Sequence, residues 1–150
     1  MLAAFWLWAG AERPRLLISD SGGLVGVMTE TGRALSKPRG GGFVAGIWLE
    51  NDGEAATQPE AHARWHADLL AQVGVMLVAG KAAARQSHEC GAARLIVFTA
   101  EPEAAVRGTC RVVTPGTLRT SGSLALIDKA GGLHLQSAAD VTGHRLWSPQ

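Results

Sequence analysis

The sequence predicts an α/β fold in which a mixed β-sheet is combined with short helices. Short apolar runs rich in β-formers alternate with glycine-containing turns, as strands of a small domain do. The segment 42–50 carries apolar residues at helical spacing instead. The chain has 150 residues, of which 47% are hydrophobic, so it can bury the core of one domain.

The predicted domain begins with three β-like segments. Residues 15–19 and 24–28 read as the two strands of a hairpin around the turn 20–23. A second turn at 29–32 leads into the β-like segment 33–36.

A loop and a short helix follow. Residues 37–42 form the predicted loop, and Phe43 and Ile47, with Trp48 as a further candidate, recur at helical spacing over 42–50. Residues 52–62 contain no large apolar residue, so the sequence predicts a surface loop there.

The second half is predicted to consist of further strands. The run 94–99 is continuous and apolar, which is typical of a buried strand. The other predicted strands are 69–78, a weaker return strand at 81–85, 111–113, and a hairpin formed by 123–128 and 133–137.

The amino-terminal segment is apolar but short. Residues 1–9 would cover about 13 Å as a helix, less than half of a hydrocarbon core of about 30 Å. Residues 1–10 are therefore either a hydrophobic amino terminus or the end of a transmembrane helix. Residues 14–150 are predicted to form a single soluble domain.

Composition excludes several classes of protein. The apolar fraction is too high for a disordered chain, and no apolar run is long enough for a membrane bundle. Basic and acidic residues number 14 and 13, whereas a domain that binds nucleic acid by itself usually has a clear basic excess.

Familiar catalytic motifs are missing or incomplete. The glycines at 40–42 lack the Gly-Lys-Ser/Thr ending of a phosphate-binding loop. His62 and His66 have the spacing of zinc ligands, and Asp68 is nearby, but the glutamate of a His-Glu-x-x-His motif is absent. These three residues leave a metal-dependent phosphodiesterase as an alternative hypothesis.

Cys90 and Cys110 are the two cysteines, and each closely precedes a predicted buried strand. If those strands pair in parallel, the cysteines are neighbours and form a candidate disulfide. Two free thiols in a reducing compartment remain the alternative interpretation.

Several segments, in this order, resemble the carboxy-terminal region of ComEC-type competence proteins. They are FWLWAG at 5–10, RPRLLISD at 13–20, FVAGIWLENDG at 43–53, CGAARLIV at 90–97, CRVV at 110–113, LRTSGSLAL at 118–126 and RLWSP at 145–149. Each segment is short, and together they extend over nearly the whole chain.

This resemblance implies a domain related to the metallo-β-lactamase fold, in degenerate or partial form. It implies a place at an inner-membrane channel for single-stranded DNA, facing the periplasm, where a disulfide is permitted. Active members carry a His-x-His-x-Asp-His metal cluster, which this sequence lacks. The expected domain is therefore non-catalytic, with no metal, cofactor or small-molecule substrate.

The expected partners are a membrane channel segment of the same or a neighbouring protein and single-stranded DNA. Arg107, Arg111 and Arg119 form the local basic grouping that the sequence offers for contact with either. A stand-alone interaction module is a further alternative.

Overall fold

The computed structural model describes residues 13–130 and 132–143. The apolar segment 1–10 and the resembling segment at 145–149 lie outside these residues. In chain order the described elements are β1 (Leu16–Ile18), β2 (Val25–Thr29), β3 (Gly32–Leu35), α1 (Gly42–Asn51), α2 (Gln58–Ala63), α3 (Asp68–Gln72), β4 (Val75–Val78), α4 (Lys81–Ala84), β5 (Leu95–Phe98), β6 (Arg111–Val113), α5 (Pro115–Ser121), β7 (Leu124–Lys129), β8 (Gly132–Ser137) and α6 (Ala138–Thr142). The α/β class with short helices is confirmed.

Five strands form an antiparallel sheet in the order β3-β2-β1-β7-β8. Strand β1 is central, because Leu16 pairs with Val27 of β2 on one side and with Leu126 of β7 on the other. The predicted hairpins β1–β2 and β7–β8 are confirmed. Their turns connect strands that are adjacent in both sequence and space, which is why the local pattern was sufficient.

Three strands form a separate parallel sheet in the order β4-β5-β6. The structure thus distributes antiparallel and parallel pairs between two sheets, whereas the sequence predicted one mixed sheet. The predicted return strand at 81–85 is wrong, since Lys81–Ala84 is helix α4. Parallel strands need a crossover connection, and α4 lies within the one from β4 to β5.

The predicted strand over 69–78 is divided into a helix and a strand. Leu69 and Leu70 are both buried in α3, which a strand with one buried face would not allow. Gly74 then turns the chain with a φ of 69°, and β4 begins at Val75. The prediction treated the apolar run as a single strand, although it contains the helix α3 followed by the strand β4.

The predicted loop over 52–62 also contains a helix, α2. Its start carries a capping box, in which the Glu60 carboxylate accepts hydrogen bonds of 2.7 Å from both the backbone N–H and the hydroxyl of Thr57. A proline in the first turn favours the same start. These signals were present in the sequence, but the absence of large apolar residues concealed them.

The predicted helix over 42–50 is confirmed as α1. Its buried residues are Ala45, Trp48 and Leu49, whereas Phe43 is 82% exposed and Ile47 is 40% exposed. Of the residues whose spacing predicted this helix, Trp48 is buried, whereas Phe43 and Ile47 lie on the exposed side.

The largest apolar cluster joins the two sheets. Its buried members from the antiparallel sheet include Leu16, Ile18 and Leu124, and those from the parallel sheet include Leu95 and Val97. Alternate residues of β5, Ile96 and Phe98, pack on the opposite face in a second cluster with Cys90 and Ala84 of α4. The parallel sheet is therefore covered on both faces.

A buried ion pair connects β3 to the end of α1. Arg33 is fully buried, and its Nε and Nη2 donate to the two carboxylate oxygens of Asp52. The same guanidinium also donates to the Pro14 carbonyl oxygen at 3.3 Å. The charge is thus compensated by a carboxylate and by backbone acceptors, as burial requires.

Among the described residues, no helix combines the length and apolar character needed to cross a bilayer.

Candidate anion-binding cleft between the two sheets

A cleft of about 290 Å³ opens between the two sheets, and we call it the basic cleft. Its charged or ionisable lining consists of Arg94, Arg111 and His134. Its other lining residues are Val73, Gly74, Val75, Leu95, Leu126, Leu133 and Leu135. The cleft therefore combines an apolar interior with cationic side chains.

The parallel pairing of β5 and β6 brings the two arginines together. Arg94 immediately precedes β5, Arg111 is the first residue of β6, and amino ends of paired parallel strands lie at the same edge. The backbone N–H of Arg111 donates to the carbonyl oxygen of Arg94 at 2.9 Å. Arg111 is also opposite Leu95 in the register. Its side chain therefore projects from the same face as Leu95, which is the face directed toward the antiparallel sheet.

Strand β8 supplies the opposite wall. Leu133 and Leu135 are half-buried and alternate with the exposed His134. Leu135 pairs with Leu126 of β7, which places both on the face directed toward the parallel sheet. Because β8 is the edge of its sheet, this wall is open to solvent on one side.

The arginines of the cleft differ from most other exposed arginines in their ion pairing. In the described part of the chain, Arg15, Arg85, Arg107 and Arg119 each have a carboxylate within 4.0 Å, whereas Arg94 and Arg111, like Arg13 and Arg39, form no ion pair. Two guanidinium groups beside one opening, without a paired carboxylate, provide donors for an anion.

The positive charge of the cleft also affects the pKa of a nearby carboxylate, that of Asp140. The pKa of Asp140 is lowered, chiefly by the backbone N–H of Ser137 and then by the Ser137 hydroxyl, with smaller effects from Arg111 and His134. Asp140 is the N3 residue of the capping box of α6, and its carboxylate accepts from the Ser137 N–H at 2.9 Å. Among the described residues it forms no ion pair with Arg111.

The three arginines that the sequence grouped differ in their ion pairing and in the part of the chain that carries them. Arg107 lies 3.8 Å from Glu89, and Arg119 lies 3.6 Å from Glu101. Arg119 belongs to α5, which follows β6, whereas Arg111 begins that strand. The contact of Arg107, Arg111 and Arg119 with DNA or a partner stays a prediction, and the pairing of β5 with β6 places Arg94 beside Arg111.

Sequence reasoning missed Arg94 and His134. A signal for Arg94 was available, since it is a charged residue directly before the apolar strand β5, as Arg111 is one at the start of β6. His134 is exposed on strand β8. Its relation to the arginines depends on the packing of the two sheets, which the sequence pattern does not specify.

Cys90 and Cys110 are joined by a disulfide in the structure, with 5.6 Å between their Cα atoms. The two cysteines precede β5 and β6, which pair in parallel. One of the two cysteines, Cys110, immediately precedes Arg111, which lines the basic cleft.

The three residues of the phosphodiesterase hypothesis are on different elements. His62 belongs to α2, and its Nδ1 is 2.8 Å from the carbonyl oxygen of Leu35. The helix ends at Ala63, so His66 does not continue the same helical face, and Asp68 begins α3. Across 13–130 and 132–143, no group of three or more His, Cys, Asp or Glu residues is arranged to hold a metal ion.

Comparison with protein-family models, curated proteins and solved structures gives no match for this chain.

Proposed function

We propose that this chain is a non-catalytic, periplasm-facing domain of a ComEC-like inner-membrane protein for DNA uptake. Its framework is a partial metallo-β-lactamase-like one, and its basic cleft contacts single-stranded DNA. The observation that carries the DNA contact is the pair Arg94 and Arg111, adjacent and without an ion-paired carboxylate among the described residues, beside an apolar interior.

The chemistry of the cleft supports a nucleic-acid strand as its ligand. Guanidinium groups bind phosphate oxygens through paired hydrogen bonds. The half-buried Leu133 and Leu135 offer apolar contact to the face of a base. A base can reach such a surface only when it is not stacked within a duplex, which favours a single strand.

The disulfide supports the proposed compartment. Disulfides persist in oxidising environments such as the periplasm and are rare in the cytosol. In this proposal the domain faces the periplasm beside a membrane channel segment, which belongs to the same or a neighbouring protein. The non-catalytic role follows from the missing His-x-His-x-Asp-His cluster of the family that the sequence resembles.

The DNA contact is tested with a fluorescent oligothymidylate and anisotropy measured over a range of salt concentrations. We expect wild-type affinity to fall steeply with salt. In Arg94→Gln/Arg111→Gln the slope of log K against log[salt] should decrease by about 1.4, because each phosphate contact to a single strand contributes about 0.7.

The matched control is Arg85→Gln/Arg107→Gln, which removes the same charge from arginines that already have carboxylate partners. This control should bind nearly as tightly as wild type. Equal losses in the two double variants would assign binding to net charge rather than to the cleft. Hydrolysis of the oligonucleotide in the presence of Mn²⁺ would contradict the non-catalytic role.

A further inference from the structure

Strand β6 is poorly held by its own pairing. It has only three residues, lies at the edge of the parallel sheet and pairs with β5 alone. The chain between Phe98 and Arg111 contains no strand or helix that would fix the approach to β6. The position of Arg111 at the start of β6 therefore requires another constraint.

The segment before β5 supplies that constraint. Glu89 and Arg107 form an isolated parallel bridge, in which Arg107 N–H donates to the His88 carbonyl at 3.0 Å and Cys90 N–H to the Arg107 carbonyl at 2.9 Å. The disulfide then joins Cys90 to Cys110, and the Cys110 N–H donates to Cys90 Sγ at 3.1 Å.

Cys90 itself is firmly placed. It is 5% exposed and packs with Ala84, Ile96 and Phe98. Its carbonyl oxygen also accepts from Ala93 N–H at 2.8 Å. The disulfide therefore attaches the residue before Arg111 to a buried and hydrogen-bonded part of the protein.

We propose that the Cys90–Cys110 disulfide positions Arg111 at the basic cleft, so that anion binding there depends on the bond. The bond acts through the backbone of Cys110 and leaves Arg94 in place, since Arg94 is held by its own N–H bond of 2.8 Å to the Gly74 carbonyl. This inference deepens the proposed function and rests on it for its DNA readout.

The first readout is amide hydrogen exchange, which does not require DNA. In Cys90→Ser/Cys110→Ser, residues 111–113 should lose protection, including the Arg111 amide that donates to Arg94, while residues 75–78 of β4 stay protected. Unchanged protection at 111–113 in a folded variant would overturn the proposal, whatever the DNA measurements give.

The second readout is oligothymidylate affinity in a double-mutant cycle. Removing the disulfide should lower affinity about tenfold, the loss expected for one charged hydrogen bond. Adding Arg111→Gln to the serine variant should cause no further loss, whereas adding Arg94→Gln should still weaken binding. A purely structural disulfide would weaken both arginine contacts equally, and that result contradicts the positioning role.

The two readouts separate failure of the inference from failure of the proposed function. If the wild-type protein does not bind the oligonucleotide but its amides respond as expected, the DNA proposal is wrong and the positioning of Arg111 stands. If DNA binds through the cleft and Arg111→Gln weakens the serine variant as much as it weakens wild type, the positioning role is wrong.

Discussion

At the scale of single residues, the stability of the described fold depends on the buried ion pair between Arg33 and Asp52. Asp52 supplies both carboxylate oxygens to a guanidinium that has no access to solvent. A charge in that position is tolerated only while its partner is present.

We therefore predict that Asp52→Asn destabilises the fold by about 3–5 kcal/mol, because it leaves the Arg33 charge buried without a counter-charge. Urea unfolding at neutral pH measures the change. Asp128→Asn is the matched control, since Asp128 pairs with Arg15 at 3.5 Å and both side chains are more than half exposed. That control should cost about 1 kcal/mol or less, and a comparable loss in both variants would contradict the prediction.

The candidate site at this scale was only partly accessible from sequence. Arg111 was identified as a member of the local basic grouping with Arg107 and Arg119. Arg94 and His134 were missed, because their relation to Arg111 is set by hydrogen bonding between strands and by packing between sheets. A sequence pattern names residue types and their spacing along the chain, but it does not state which strands become neighbours.

At the scale of elements, short helices are fixed at their starts by side chains. Helices α2, α5 and α6 each begin with a capping box, at Thr57, Thr114 and Ser137 respectively. Helices of five to seven residues have few internal hydrogen bonds, so these caps satisfy a large share of their backbone donors.

The cap of α2 gives a pH-dependent prediction. The pKa of Glu60 is lowered, chiefly by the backbone N–H of Thr57 and then by the Thr57 hydroxyl. A carboxylate with a lowered folded-state pKa stabilises the fold above its unfolded-state pKa, and this contribution is lost as the pH falls through the folded-state pKa. In Thr57→Val, the backbone donor remains and the hydroxyl is removed, so the pKa of Glu60 should rise part of the way to its ordinary value.

Carboxyl carbon chemical shifts followed by NMR during an acid titration measure this pKa. Asp140 is the internal control, because its cap uses Ser137 and its pKa should be the same in both proteins. A Glu60 pKa that is unaffected by Thr57→Val would show that the hydroxyl does not support the carboxylate.

Element prediction succeeded where local signals and tertiary structure agree. The β1–β2 and β7–β8 hairpins and helix α1 carry turn or helix signals that need no distant partner. It failed at Lys81–Ala84, where alanines follow a strand and the parallel direction of β5 decides that the connection is a helix.

At the scale of the whole molecule, one apolar cluster makes the two sheets a single structural unit. Leu118 of α5 is fully buried in this cluster, between residues of the antiparallel and parallel sheets. Loss of its side chain should therefore affect both sheets.

We predict that Leu118→Ala destabilises the protein by about 2–5 kcal/mol, the usual range for a buried leucine. Unfolding should remain one transition, and amide hydrogen exchange in β1 and β5 should accelerate by similar factors. Val141→Ala is the control, because Val141 is 68% exposed and its loss should change stability by about 0.5 kcal/mol or less. Acceleration confined to one sheet would show that the sheets unfold independently.

The sequence by itself determined the α/β class, the two hairpins, helix α1, the buried strand β5 and the position of each cysteine shortly before a strand. These features follow from apolar periodicity and turn chemistry, which act between residues close in the chain. Only the tertiary structure decided that the strands separate into two sheets, that α4 replaces a strand and that Arg94 joins Arg111 at one cleft. Those outcomes depend on contacts between distant segments, whose energies are absent from any local pattern.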